Sequence, residues 1–198
     1  MIKNRDCLTP KKTLWLWYSV SGYYILKLLM VAQSKQISKN GGYSMKKLHL
    51  SPESIAKYIL LKAAEEGEPI TQLKLQKLVY LSYVRSLING LKLFDEPIEA
   101  WPNGPVVPSL YQALKSYGYN PIGQEYYMGV SQTIEDDLKE ALPFLNEAFE
   151  EYVPKSAFEL VALTHNDGAW SKIREGKQVT ESSNDVISDD LILTAYAV

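Results

Sequence analysis

Thr164-His165, followed closely by Asn166-Asp167-Gly168 and Trp170, is the segment whose residue types most readily suggest chemistry. An imidazole there has two readings. It could act as a base or touch a partner, or it could simply close a helix and hydrogen-bond a loop carbonyl. As an exposed cation at a helix C-terminus it would gain about 0.3–1 kcal/mol from the dipole. Glu99 and Trp101 form a second candidate, in a loop rich in proline. A carboxylate beside an aromatic face could receive a basic side chain from a partner; alternatively, Glu99 caps a helix end and Trp101 packs on a central helix. His165 and Glu99 are also the imidazole–carboxylate pair that could do acid–base work. Nucleophilic catalysis needs a nucleophile beside a base. The sequence has no such elbow, and Cys7 lies far from both candidates. One cysteine and two histidines give no convincing set of zinc ligands and no disulfide framework, and no cofactor motif is present.

Lys74 and Lys77 stand about one turn apart in a strongly apolar stretch. Lysines in such a place snorkel to the helix ends or pair with an acid. Gly104-Pro105-Val106 lacks the glycine spacing and the following Lys-Ser/Thr of a phosphate loop. Tyr111, Tyr117, Tyr119, Tyr126 and Tyr127 lie near one another in the chain. Tyrosine is enriched at interface hot spots, so they are candidates for a partner surface, with core filling as the alternative.

The elements that must position these residues follow from caps and periodicity. Ser51-Pro52-Glu53 opens a helix that Gly67 ends. Thr71 caps a second helix reaching Asn89, with Gly90 after it. That helix is apolar on almost every side, which predicts a central, buried position. Prolines 97, 102 and 105 exclude a continuous helix from 91 to 105, and Ile98–Trp101 reads as a short extended segment. A third helix starts near Pro108 and stops at Gly118. Acids 135–137 open a fourth, which Pro143 should kink or split. Ser156 and Glu159 match a capping box for a fifth helix to about Thr164. A last helix begins after Ser188. The expectation is a single compact, mainly α-helical domain of about six helices, with a short extended segment near residues 91–103.

Charge is unevenly placed along the 198 residues. Residues 1–44 carry a net +6, residues 45–198 a net −8, and the part from Tyr119 onward a net −10. An acidic body argues against binding to a phosphate backbone, which would need a basic stripe. Residues 1–44 form an extension with three readings: a misplaced start before Met45, a signal or membrane anchor built on residues 14–32, or an amphipathic docking helix. Lys27 and the serines inside the apolar run weaken the membrane readings. Residues 45–198 are long enough to form a core unaided.

Taken in order, Lys74-Leu75-Gln76-Lys77-Leu78-Val79-Tyr80, then Phe94-Asp95-Glu96-Pro97-Ile98-Glu99-Ala100-Trp101, then Gly104-Pro105-Val106-Val107-Pro108 and Tyr111, then Tyr117-Gly118, and finally Leu163-Thr164-His165 with Trp170, resemble the Panacea domain of SocA-like and phage-associated proteins. The resemblance spans about residues 52–197 and leaves out the first 44. It implies a mainly helical domain and a type II antitoxin that neutralises a cognate toxin by direct contact, not an enzyme. The candidates for partner binding are Glu99, Trp101, Tyr111, Tyr117, His165 and Trp170, and Lys77, Tyr80, Gly104, Pro105 and Thr164 are the structural part of the motif. The expected partner is a toxin, basic to match the acidic second half. No nucleic acid is expected to bind this chain alone. Membrane contact is expected only if 14–32 is an anchor. Homo-oligomers and a cytoplasmic location are compatible. Three readings remain beside it: a phage or prophage accessory protein binding a host factor, an adaptor to a protease as one SocA member is, and an enzyme using His165 and Glu99.

Overall fold

A computed structural model describes residues 45–129 and 133–196. The readings of residues 1–44 lie outside the described residues. Eight α-helices and two small two-stranded sheets are found among them, so the domain is mainly α-helical as expected, with more helices than the periodicity suggested.

Local signals set the first elements. α1 (Pro52–Glu65) begins where Ser51 Oγ accepts the Ser54 N–H at 2.9 Å. α2 (Gln72–Ile88) begins where Thr71 accepts from Lys74 N, and Gly90 follows it at φ 82°, which favours glycine. Fourteen of the seventeen α2 residues are buried, so the all-round apolar pattern is met by neighbours on all sides. β1 (Lys46–Lys47) pairs in parallel with β2 (Leu91–Lys92). β3 (Glu99–Trp101) and β4 (Gly104–Val106) form an antiparallel hairpin in which Glu99 faces Val106. This hairpin is the expected extended segment.

α3 (Pro108–Leu114) passes into a short 3₁₀ turn ending before Gly118. α4 (Thr133–Leu138) and α5 (Leu142–Tyr152) are separate, with Pro143 in the first turn of α5, as a proline inside a helical pattern requires. α6 (Ala157–His165) carries both bonds of the capping box. α7 (Gly168–Ile173) was not expected; Asp167 starts it by accepting the Ala169 N–H at 2.6 Å. α8 (Asp189–Tyr196) has its two acids in the first turn.

α2 touches α1, α3, α5, α6, α8, β2 and β4. Around it the core gathers Ile55, Ile59, Leu93, Phe94, Leu145 and Ile192, each at most 1% exposed. The segment before α8 returns to the hairpin: Ala100 N–H donates to the Asp185 carbonyl at 2.9 Å, and Ile187 N–H to the Ile98 carbonyl at 2.8 Å. Among the described residues no helix is long and apolar enough to cross a membrane.

Candidate functional site

One side of α2 is polar, and its side chains reach each of the later motifs. Gln76 grips Val107 twice, accepting its N–H at 3.0 Å and donating to its carbonyl at 3.4 Å. Lys77 Nζ donates to the Pro105 carbonyl at 2.9 Å. Tyr80 donates its hydroxyl to Asp167, and Tyr83 to Asp189 at 2.6 Å. Positions 76, 80 and 83 share one stripe of a 3.6-residue helix, with 77 beside it. The scattered motifs thus converge because one helix binds them all.

Lys77 overturns the snorkelling expectation. It is completely buried, and no carboxylate pairs with it among the described residues. The β3–β4 hairpin closes over its head, so there is no path to water. Burial pushes its ammonium down to about 7. Gly104 makes that closure feasible. Its φ is +98°, and a Cβ there would sit 2.8 Å from Lys77 Cε and 2.8 Å from Thr164 Oγ1. Thr164 is fully buried, and its hydroxyl donates to the Val161 carbonyl at 3.1 Å. Pro105 supplies a carbonyl to Lys77 and has no N–H of its own to satisfy.

From this buried knot an aromatic chain leads outward. His165 stacks on Trp170 with ring centres 3.9 Å apart and planes 3° from parallel. Trp170 Nε1 donates to the Trp101 carbonyl at 3.0 Å, and Trp101 Nε1 donates to Glu99 Oε2 at 2.7 Å. Trp101 meets Tyr111 edge-on at 4.8 Å. Glu99 therefore holds an indole and caps no helix. His165 does end its helix, and the Pro102 carbonyl accepts from its ring. Burial lowers its affinity for a proton, and the charge of Lys77 acts in the same direction. Its Nε2 is buried with no hydrogen-bond partner among the described residues. Glu99, Trp101 and Pro102 line a 340 Å³ groove with Ser182, Ser183 and Asn184; His165 does not line it. His165 and Glu99 therefore do not converge on one pocket.

The tyrosine group divides. Tyr127 is core at 7% exposed, whereas Tyr119 is 97% exposed. Tyr117 donates to Glu125 at 2.7 Å. Burial pushes the Tyr126 phenol up to about 12. Lys74 is nearly buried, and that burial pulls its ammonium down.

Two residues escaped the sequence reading. Asp167 is 6% exposed and accepts from Ala169 N–H on Oδ1 and from the Tyr80 and Tyr196 hydroxyls on Oδ2. Burial first, then the Asp167 charge, raises both phenols, so they remain donors. An Asp-Gly-Ala start after a helix end was the available signal. Arg174 is 6% exposed and gives its guanidinium to four carbonyls: Glu181 at 2.7 Å, Gln178 at 2.6 Å, Val179 at 3.2 Å and Ala100 at 3.4 Å. It clamps the 178–187 segment onto the hairpin. No local pattern announces such a contact. Among the described residues no group of His, Cys, Asp and Glu could hold a metal ion.

Residues 75–171 match the family described as Antitoxin SocA-like, Panacea domain. The chain is 30% identical over 138 residues to a protein named Antitoxin SocA from Caulobacter vibrioides (strain NA1000 / CB15N), covering 62% of this chain and 70% of that protein. No solved structure matches significantly. The matched span begins inside α2 and ends inside α7, and so contains the Gln76, Lys77 and Tyr80 anchors and every motif they hold; the chain belongs to the SocA-like Panacea-domain family.

Proposed function

We propose that this chain is an antitoxin that neutralises a toxin protein by binding it directly. The observation that carries the reading is the 30% identity to Antitoxin SocA over 138 residues. Its buried machinery supports binding over catalysis. Lys77, Thr164 and Tyr80 are spent on holding the hairpin and helix ends together, and His165 and Glu99 face different surroundings. The working domain begins at Met45, acts in the cytoplasm, and carries a net −8 that suits a basic toxin.

The test is co-expression with the product of the adjacent gene. That protein alone should arrest growth, and this chain should restore it while forming a complex with the toxin that survives gel filtration. A neighbour that is harmless alone, or that remains toxic in the presence of folded chain, refutes the reading.

A further inference from the structure

We propose that the outer face of α6 and the pocket at its C-terminal end form the toxin-docking surface, with the Asp167 carboxylate receiving a lysine or arginine of the toxin; this rests on the antitoxin reading above. α6 is Ala-Phe-Glu-Leu-Val-Ala-Leu-Thr-His, yet it buries only Leu160 and Thr164. Phe158 is 81% exposed and Leu163 37% exposed. With Ala162, also exposed, they span about 140° of the helix at 3.6 residues per turn, and the exposed Glu159 lies between Ala162 and Leu163 on that arc. The only acid on α6 is Glu159, whose carboxylate accepts the Ser156 N–H at 2.7 Å and adds its negative charge to that face. A helix this apolar is expected to bury its second face against something.

The stripe runs into a 260 Å³ pocket lined by Leu163, Asn166, Asp167, Tyr152 and Tyr196, among others. Asp167 lies nearly buried in its wall, and no Lys, Arg or His pairs with it among the described residues. Oδ1 takes a single donor, and a carboxylate accepts about four bonds in all, so acceptor capacity remains. A desolvated carboxylate without a counter-ion gains more from an incoming cation than an exposed one does. The Tyr196 ring offers an apolar face for the stem and head of a long basic side chain, whereas Arg85 already lies 5.8 Å from the Tyr152 ring centre. Charge selects the occupant. A phosphate backbone or an anionic lipid would be repelled by Asp167. A second copy would bring no lysine or arginine on its own α6. A toxin segment with a basic residue among apolar ones satisfies both halves of the surface.

The experiment co-expresses the adjacent-gene toxin with wild type, Phe158→Arg, Leu163→Arg, Asp167→Asn and, as a control at an exposed residue outside that surface, Met128→Arg, and measures each purified pair by calorimetry. An arginine at 163 lines the pocket and offers Asp167 a cation from within the chain. Both α6 variants should lose rescue and at least tenfold in affinity, with circular dichroism and melting temperature like wild type. Met128→Arg should rescue fully. Asp167→Asn keeps a cap acceptor and should bind at least tenfold more weakly. Rescue by wild type and equally by folded Phe158→Arg and Leu163→Arg overturns the surface and leaves the antitoxin reading intact. Undiminished affinity of Asp167→Asn overturns the cation site, and Phe158→Arg still tests the face should that variant not fold. Failure of wild type to rescue overturns both readings. A wild-type dimer broken by Leu163→Arg without loss of rescue assigns the face to a second copy and overturns the proposal.

Discussion

Lys77 is where pH acts most directly on this molecule. Its ammonium is ordinary in the unfolded chain, at 10.5, and is pulled down to about 7 by burial. Between those values the unfolded state binds a proton that the folded state does not, so stability must rise with pH across that window. The contribution is fully present above 10.5 and is lost as pH falls through about 7. A shift of this size corresponds to on the order of 5 kcal/mol. Lys77→Met removes the titration while roughly conserving volume. The difference in urea midpoint between wild type and Lys77→Met, measured from pH 6 to pH 10, should therefore be flat below about 7 and favour wild type more as pH rises above it. A constant difference across that range would show that Lys77 does not titrate in the fold. The neighbouring Gly104 restricts what can replace the lysine, because the hairpin rests directly on its terminal atoms.

The elements divide by how far apart their determinants lie in the chain. Ser51, Thr71 and the Ser156–Glu159 box are read from three or four adjacent residues, and each bond forms as expected. The central position of α2 was legible from its apolar circumference, and the Pro143 break from the missing N–H. The parallel β1–β2 pair joins two-residue strands some 45 positions apart, too short and too distant for any periodicity to show. For the candidate site, Glu99, Trp101, Trp170 and His165 were recognisable as residues, and the structure joins them into one chain of contacts. The link from Trp170 to Trp101 depends on a carbonyl, which has no residue signature.

Arg174 is the clearest such case, since all four of its guanidinium acceptors are backbone oxygens. Arg174→Met should cost about 3 kcal/mol or more, because it removes charge-assisted bonds and strands partly buried carbonyls. The loss should also be local in part. Limited proteolysis should cut between Gln178 and Asp185 in the variant under conditions where wild type is resistant. Equal resistance would mean that the pairing of Asp185 and Ile187 with the hairpin holds the segment alone.

Over the whole molecule the two kinds of partner contact separate by range. On the proposed reading, short-range affinity is set where apolar area and a desolvated carboxylate coincide, as beside α6. On the same reading, long-range encounter is set by the net −8 of residues 45–198, which no single contact needs to carry. Several of these acids are already paired on the surface, Glu147 and Glu151 with Arg85 and Asp185 with Lys177. Such pairs add little stability, but their excess over lysine and arginine still shapes the field. A toxin bound as proposed should therefore carry net positive charge, and the two effects should respond differently to salt. Raising ionic strength from about 50 mM to about 500 mM shortens the Debye length from roughly 14 Å to roughly 4 Å. The association rate measured by stopped-flow should fall by on the order of tenfold or more. The dissociation rate should change far less, because the contacts that resist separation are apolar or shielded from solvent. An association rate indifferent to salt would mean that the acidic half of the chain serves solubility and not recognition.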